Sequence, residues 1–216
     1  MKRADWWFDV ISPYAYIAFE QFHRLPSDVE VTLRPVLFAG LLGKWGQLGP
    51  AEIPSKRLFT YQYSQWLAER QGVSMRYPEA HPFNPLPFLR LSIACNNEQP
   101  AVRAIFRSIW ADGREVGTAE HFNALASALN IDDLGAAVSQ PAVKAQLQAN
   151  TDAATAAGVF GVPTFTIDGH LFWGVDAFDF FLQYLDEPTL FETESMKRAT
   201  VTRTGVQRKQ SSNPHS

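Results

Sequence analysis

The sequence of 216 residues contains a single cysteine, Cys95. One thiol excludes an intrachain disulfide, a Cys-based zinc site and dithiol redox chemistry by this chain alone, because each needs at least two sulfurs. Cys95 lies in the apolar run Leu91-Ser92-Ile93-Ala94-Cys95 and reads as a buried structural thiol, the usual state of free cysteine. No run of about 18 apolar residues occurs, so no helical membrane span is expected. The start, Met1-Lys2-Arg3-Ala4-Asp5, passes straight into a strand-like run and lacks the apolar stretch and cleavage site of a secretory signal; the expectation is a cytoplasmic protein. A basic groove interleaved with stacking aromatics is also missing, so no nucleic acid is expected as a partner. Acids are missing from residues 197–216, which hold Lys197, Arg198, Arg203, Arg208 and Lys209, so the tail carries +5 and the rest of the chain −8 of the net −3. That tail, polar and poor in apolar residues, is expected to be disordered.

What is present suits a globular enzyme or binding protein. The hydrophobic fraction of 46% and charged fraction of 19% are ordinary, and the length allows one large domain or a small one carrying an insertion. Asp5 to Ile11 reads as a buried strand of aromatic and β-branched residues. Ser12-Pro13 follows, a good N-cap and a favoured first helical residue, so a helix is expected from Pro13 to about Arg24. Val29, Val31 and Leu33 alternate as a second strand. Strand, short helix and strand in this order make a βαβ unit with parallel strands.

From about Gly40 to Gly158 the pattern turns helical. Leu41 to Pro54 reads as a loop, and Tyr77 to Pro87, with four prolines, as irregular chain. Phe59, Tyr63 and Trp66 share a helical face. Helices are also expected over 86–95, around Val102 to Ile109, after Thr118 and over about 140–157. The end returns to strands: Pro163 to Ile167, a two-residue turn at Asp168-Gly169, His170 to Trp173, and a closing helix from Asp176 to Leu185. The expectation is an α/β fold in which residues 1–40 and 159–195 form one domain, 41–158 a helical insertion and 196–216 a basic tail.

Ligands in such sheets bind beyond the carboxyl ends of the strands, near helix N-termini. Two segments point there: Ser12-Pro13-Tyr14-Ala15 and Gly158-Val159-Phe160-Gly161-Val162-Pro163-Thr164. The helix start at Ser12 favours an anion, and its hydroxyl adds one donor. The plainer reading is that Ser12 only caps the helix. Val162-Pro163 is a candidate cis bond, or else a trans proline opening an edge strand.

These segments, with Phe8-Asp9-Val10-Ile11 before them and Leu171-Phe172-Trp173-Gly174-Val175-Asp176 after, resemble the kappa-class glutathione transferase family, and within it the 2-hydroxychromene-2-carboxylate isomerases. The resemblance spans about residues 5–186. It implies a thioredoxin-like fold with an inserted helical domain, as in DsbA-like oxidoreductases, whose Cys-x-x-Cys pair is replaced here by Ser12, Pro13, Tyr14 and Ala15. It implies glutathione as cofactor, with Ser12 activating its thiolate, Val162 beside Pro163 pairing with its cysteinyl backbone, and Val175 and Asp176 holding its γ-glutamyl end. Taken alone, Asp176 is a simple N-cap. By the same resemblance Lys44 binds an aromatic carboxylate substrate, and Asn84, in the proline-rich loop, is expected to reach the same cleft; alone, Lys44 is a surface lysine and Asn84 a turn residue. The loop 43–57 departs from the family, with Gln47 and Glu52 but no Asn. The implied reaction is glutathione-dependent isomerisation in aromatic catabolism; the rivals are glutathione transfer and a non-catalytic peptide-binding module. The residues give no oligomeric state, and the resemblance implies a homodimer.

Overall fold

A strand of aromatic residues lies at the centre of the sheet. The computed structural model describes residues 1–206; Arg208 and Lys209 lie outside them. Strand β1 (Lys2–Phe8) pairs in parallel with β2 (Val29–Pro35), joined by helix α1 (Pro13–Glu20) and a 3-10 turn over Phe22–Arg24. On its other side β1 pairs antiparallel with β3 (Thr164–Ile167), and β3 with β4 (His170–Trp173), giving the order β2-β1-β3-β4. Asp168 (φ 50°) and Gly169 (φ 80°) take the left-handed conformation that the two-residue turn requires.

Because side chains alternate along a strand, β1 feeds two cores. Trp6 and Phe8 point to one face and stack with centroids 4.8 Å apart. Phe19 of α1, Phe22, Phe106 and Phe165 close around Trp6 at 4.9–6.2 Å. Trp7 points to the other face and joins Val36, Leu41, Ala154, Val159 and Val162. Its indole N–H is satisfied by Thr166 Oγ1 at 2.8 Å.

Helices fill residues 38–156: α2 (Phe38–Trp45), α3 (Pro54–Arg70), α4 (Leu86–Ala94), α5 (Gln99–Trp110), α6 (Ala119–Leu129), α7 (Leu134–Ser139) and α8 (Pro141–Ala156). Helix α2 takes up the first five residues of the loop expected over 41–54. Its glycines argue against a helix locally, but tertiary bonds hold both ends: Phe38 N–H donates to Asp9 Oδ2 (2.9 Å) and Trp45 Nε1 to the Val159 carbonyl (2.9 Å). Helix α3 confirms that Phe59, Tyr63 and Trp66 share a face. That face, however, is the exposed one; Thr60, Ser64 and Ala68 turn inward. Helix α5 has the expected apolar stripe, with Val102, Ile105, Phe106 and Ile109 all fully buried.

The chain divides into two compact units, residues 1–178 and 179–216. The closing helix α9 (Phe178–Asp186) begins two residues later than expected. In the second unit Phe180 and Tyr184 of this helix pack on Phe191, each at 5.5 Å. Helix α10 (Glu194–Thr200) follows, capped by the Thr193 hydroxyl. It occupies the first part of the stretch expected to be disordered. Its Thr193 cap, Glu194 in the first turn and Lys197 and Arg198 in the last all complement the helix ends.

Trp110, at the end of α5, is fully buried and donates its indole N–H to the Val10 carbonyl at 2.8 Å. Trp110→Phe keeps most of the volume but orphans that carbonyl, so it should lower stability by about 1–2 kcal/mol, read as a reduced urea midpoint at unchanged slope.

Candidate active site

The short loop Asp9 to Ser12 joins β1 to α1, and its polar groups are pinned from several directions. Ser12 N–H donates to the Asp9 carbonyl (3.1 Å). Ile11 N–H donates to Asp9 Oδ1 (3.0 Å). The Val10 carbonyl takes the Trp110 indole, and the Ile11 carbonyl takes His81 Nε2 at 2.8 Å. A carbonyl can only accept, so that nitrogen carries the proton. Nδ1 of the same ring meets the Tyr61 hydroxyl at 2.8 Å. Burial pulls the His81 pKa below its usual value, which keeps the ring neutral at neutral pH.

Ser12 opens α1 as its N-cap. Its Oγ accepts from Ala15 N–H at 3.2 Å, and its own proton faces the Val162 carbonyl at 3.5 Å. The second contact is at the limit of a hydrogen bond. The hydroxyl therefore caps with a lone pair and keeps its proton available for a better acceptor. Its residue is 8% exposed.

The Val162–Pro163 bond is cis, one of the two readings open from the sequence. Pro163 is tied to the next strand by its carbonyl, which accepts from Gly174 N–H at 2.8 Å. Over this loop lies Trp173, so close that a β-carbon at Gly161 would collide with its indole. Val175 and Asp176 form the turn before α9 and precede its first residue, Phe178. Asp176 is exposed and bends back over Gly174, and its charge raises the Tyr14 pKa, a lesser effect than the burial of that phenol. Thus Ser12, Val162, Pro163, Val175 and Asp176 occupy neighbouring segments at one end of the sheet.

Among the described residues, no hydrogen bond or ion pair ties Lys44 or Asn84 to any of these five. Lys44, near the end of α2, lines a groove between α2, α4 and α8 whose wall contains none of those five residues. Asn84 is exposed, and its Oδ1 accepts from Leu86 N–H at 3.1 Å as α4 begins, the local turn role.

Asp9 and His81 escaped the sequence reading as site residues. Asp9 is fully buried, and burial raises its pKa to about 7 against the lowering effect of the N–H groups of Ile11 and Phe38. A lone acid inside the run Trp6-Trp7-Phe8-Asp9-Val10 was the signal that could have found it. His81 gives no such signal, since its partner lies 70 residues away.

This arrangement sets a helix N-terminus against a cis-proline loop beside a central strand. Residues 3–186 match the model of the DSBA-like thioredoxin domain. The chain belongs to that family. It is 26% identical over 207 residues to glutathione S-transferase kappa 1 of Homo sapiens, covering 86% of this chain and 92% of the relative. It is also 26% identical over 192 residues to 2-hydroxychromene-2-carboxylate isomerase of Sphingobium xenophagum, covering 85% and 98%. A solved structure of a 2-hydroxychromene-2-carboxylate isomerase superposes with a TM-score of 0.74 at 20% identity, over 93% of this chain and all of that one. This DSBA-like chain therefore has kappa-class transferases and isomerases among its relatives, and its sequence has one cysteine, Cys95.

Proposed function

We propose that this protein is a glutathione-dependent isomerase of the 2-hydroxychromene-2-carboxylate type, acting in the cytoplasm in aromatic catabolism. One observation carries the reading: the Ser12 hydroxyl at the start of α1 faces the Val162–Pro163 loop with its proton weakly engaged. The surroundings fit an extended tripeptide. Among the described residues, the backbone N–H groups of Tyr14, Val162, Val175 and Asp176 have no hydrogen-bond partner. Val162 and Val175 are buried and Tyr14 is half-buried, and buried donors are rarely left so; Asp176, next to Val175, is exposed.

When bound, glutathione supplies a thiolate that adds reversibly to an electrophilic carbon of the substrate, so that a double bond can rotate as a single bond before elimination. The residues of this chain prepare that chemistry. Ser12 donates its proton toward the sulfur, and the N-terminus of α1 adds the positive end of its dipole; both lower a thiol pKa. Val162 offers its N–H to the peptide backbone. The N–H groups of Val175 and Asp176 suit a carboxylate, and the Asp176 side chain suits an ammonium. Lys44 is assigned the substrate carboxylate; its neighbour Trp45 reaches the Val159 carbonyl, three residues before Val162.

Turnover of 2-hydroxychromene-2-carboxylate with and without glutathione tests the reading. The expected result is a rate that depends on glutathione while glutathione is not consumed. A full rate without the thiol sinks it, and stoichiometric loss of glutathione would mark a transferase, as in the kappa-class relatives. Asp176→Asn should raise the KM for glutathione about fivefold with kcat little changed, because an exposed ion pair is worth at most about 1 kcal/mol.

A further inference from the structure

A groove of about 880 Å³ runs between α2, α4 and α8. Its direction follows from two bonds. Leu37 N–H donates to Thr151 Oγ1 (3.1 Å), and Trp45 Nε1 to the Val159 carbonyl (2.9 Å), so α2 runs alongside the second half of α8 in the same sense. Lys44, next to Trp45, thus marks the end near Ala156. Lys144, in the first turn of α8, marks the other end. The span from Lys144 to Thr155, both on the wall, is about 16 Å along the helix axis. Arg90 of α4 also lines the groove, with Leu37, Leu86 and Leu147 as apolar wall.

The charges here are unbalanced. Lys44, Arg90 and Lys144 face one carboxylate, Asp152, which already accepts from Gln148 Nε2 at 3.0 Å. No ion pair or side-chain hydrogen bond engages any of the three cations among the described residues. Arg90 is the telling member: its Nε is shut away from solvent with no partner. A guanidinium that has lost part of its hydration without gaining an acceptor has an unmet electrostatic demand, and its planar fork suits a carboxylate or a phosphate.

We propose that this groove binds an elongated organic anion, with an apolar body along the leucines and a carboxylate or phosphate group held by Arg90 and Lys144. The groove wall shares Lys44 with the proposed isomerase site but includes none of Ser12, Val162, Pro163, Val175 and Asp176, and the anion held by Arg90 and Lys144 needs no glutathione. Calorimetric titration of the full chain, without glutathione, tests it with three probes: dodecanedioate, decyl phosphate and pyrophosphate. At least one of the two amphiphiles should bind, the tighter one naming the acidic group, and pyrophosphate should bind more weakly than that one. Arg90→Gln and Lys144→Gln should each weaken that binding about tenfold, as expected for a lost charge-assisted hydrogen bond, while glutathione titrates into both variants as into the parent protein. Lys44 stays native throughout, so the variants read the contributions of Arg90 and Lys144 alone. Absence of heat with both amphiphiles overturns the proposal, as does equal binding by the variants or pyrophosphate binding as tight as the tighter amphiphile. Lys144 is exposed, so Lys144→Gln decides the matter even if Arg90→Gln fails to fold.

Discussion

Ser12→Ala should reduce glutathione-dependent turnover by about 100- to 1,000-fold, the usual cost of removing one preorganised donor to a reacting anion. The loss arises because the hydroxyl's lone pair and proton do different work. The lone pair caps α1 through Ala15 N–H, while the proton has only the Val162 carbonyl at 3.5 Å. Alanine removes both. The missing cap costs about 1 kcal/mol of stability, which a fold of this size tolerates. The missing proton raises the pKa of a bound thiol, because the anion then relies on the helix N-terminus alone. Two readouts separate these effects. Urea unfolding reports the cap, and the ultraviolet absorbance of bound thiolate against pH reports the donor. Ser12→Thr retains a hydroxyl and should recover much of the thiolate signal. If Ser12→Ala turns over at the parent rate with the same thiolate titration, the hydroxyl is a cap and nothing more.

The parts of the site that were readable in advance are those written in adjacent residues. A strand ending in Ser-Pro declares a capped helix start. An Asp-Gly pair between β-prone runs declares the hairpin that carries Trp173 to the cis-proline loop. What escaped was non-local. The segment Phe38 to Trp45, with glycines at 40 and 43, has poor helix propensity; it folds as α2 because Asp9 receives the Phe38 N–H, Thr151 the N–H of the preceding Leu37, and Val159 the Trp45 indole N–H. The stripe of Phe59, Tyr63 and Trp66 shows how period and orientation differ. Spacing identifies a helix and one of its faces, but the burial of a face is decided by what packs there. In this fold Thr60, Ser64 and Ala68 face inward, and Ser64 bonds the Tyr77 hydroxyl at 2.7 Å. His81 is a similar case, since its hold on Ile11 depends on the path of the whole segment between them.

The fully buried Asp9 carboxyl makes stability depend on pH in a direction opposite to most carboxylates. Its folded pKa is raised to about 7 by burial, whereas an unfolded aspartate titrates near about 4. Below the unfolded value both states hold the proton, and the group adds no pH dependence. Between about pH 4 and 7 the unfolded chain releases its proton while the folded chain keeps it, so stability falls as pH rises. Above about pH 7 both are ionised and the penalty levels off. Asp9→Asn cannot titrate. It also cannot accept from both Ile11 and Phe38 with its amide nitrogen, so it should be the less stable protein at pH 4 by about 1–3 kcal/mol. As pH rises the parent loses stability and the variant does not on this account, so the gap should close and can reverse by pH 8. Urea unfolding of both proteins across this range isolates the single group, because the other titrating residues cancel in the difference. A gap that stays constant from pH 4 to 8 means Asp9 is ionised throughout, held by its two N–H donors more strongly than burial opposes it. In that event the loop beneath Ser12 carries a permanent negative charge, and the helix N-terminus must hold the thiolate against it.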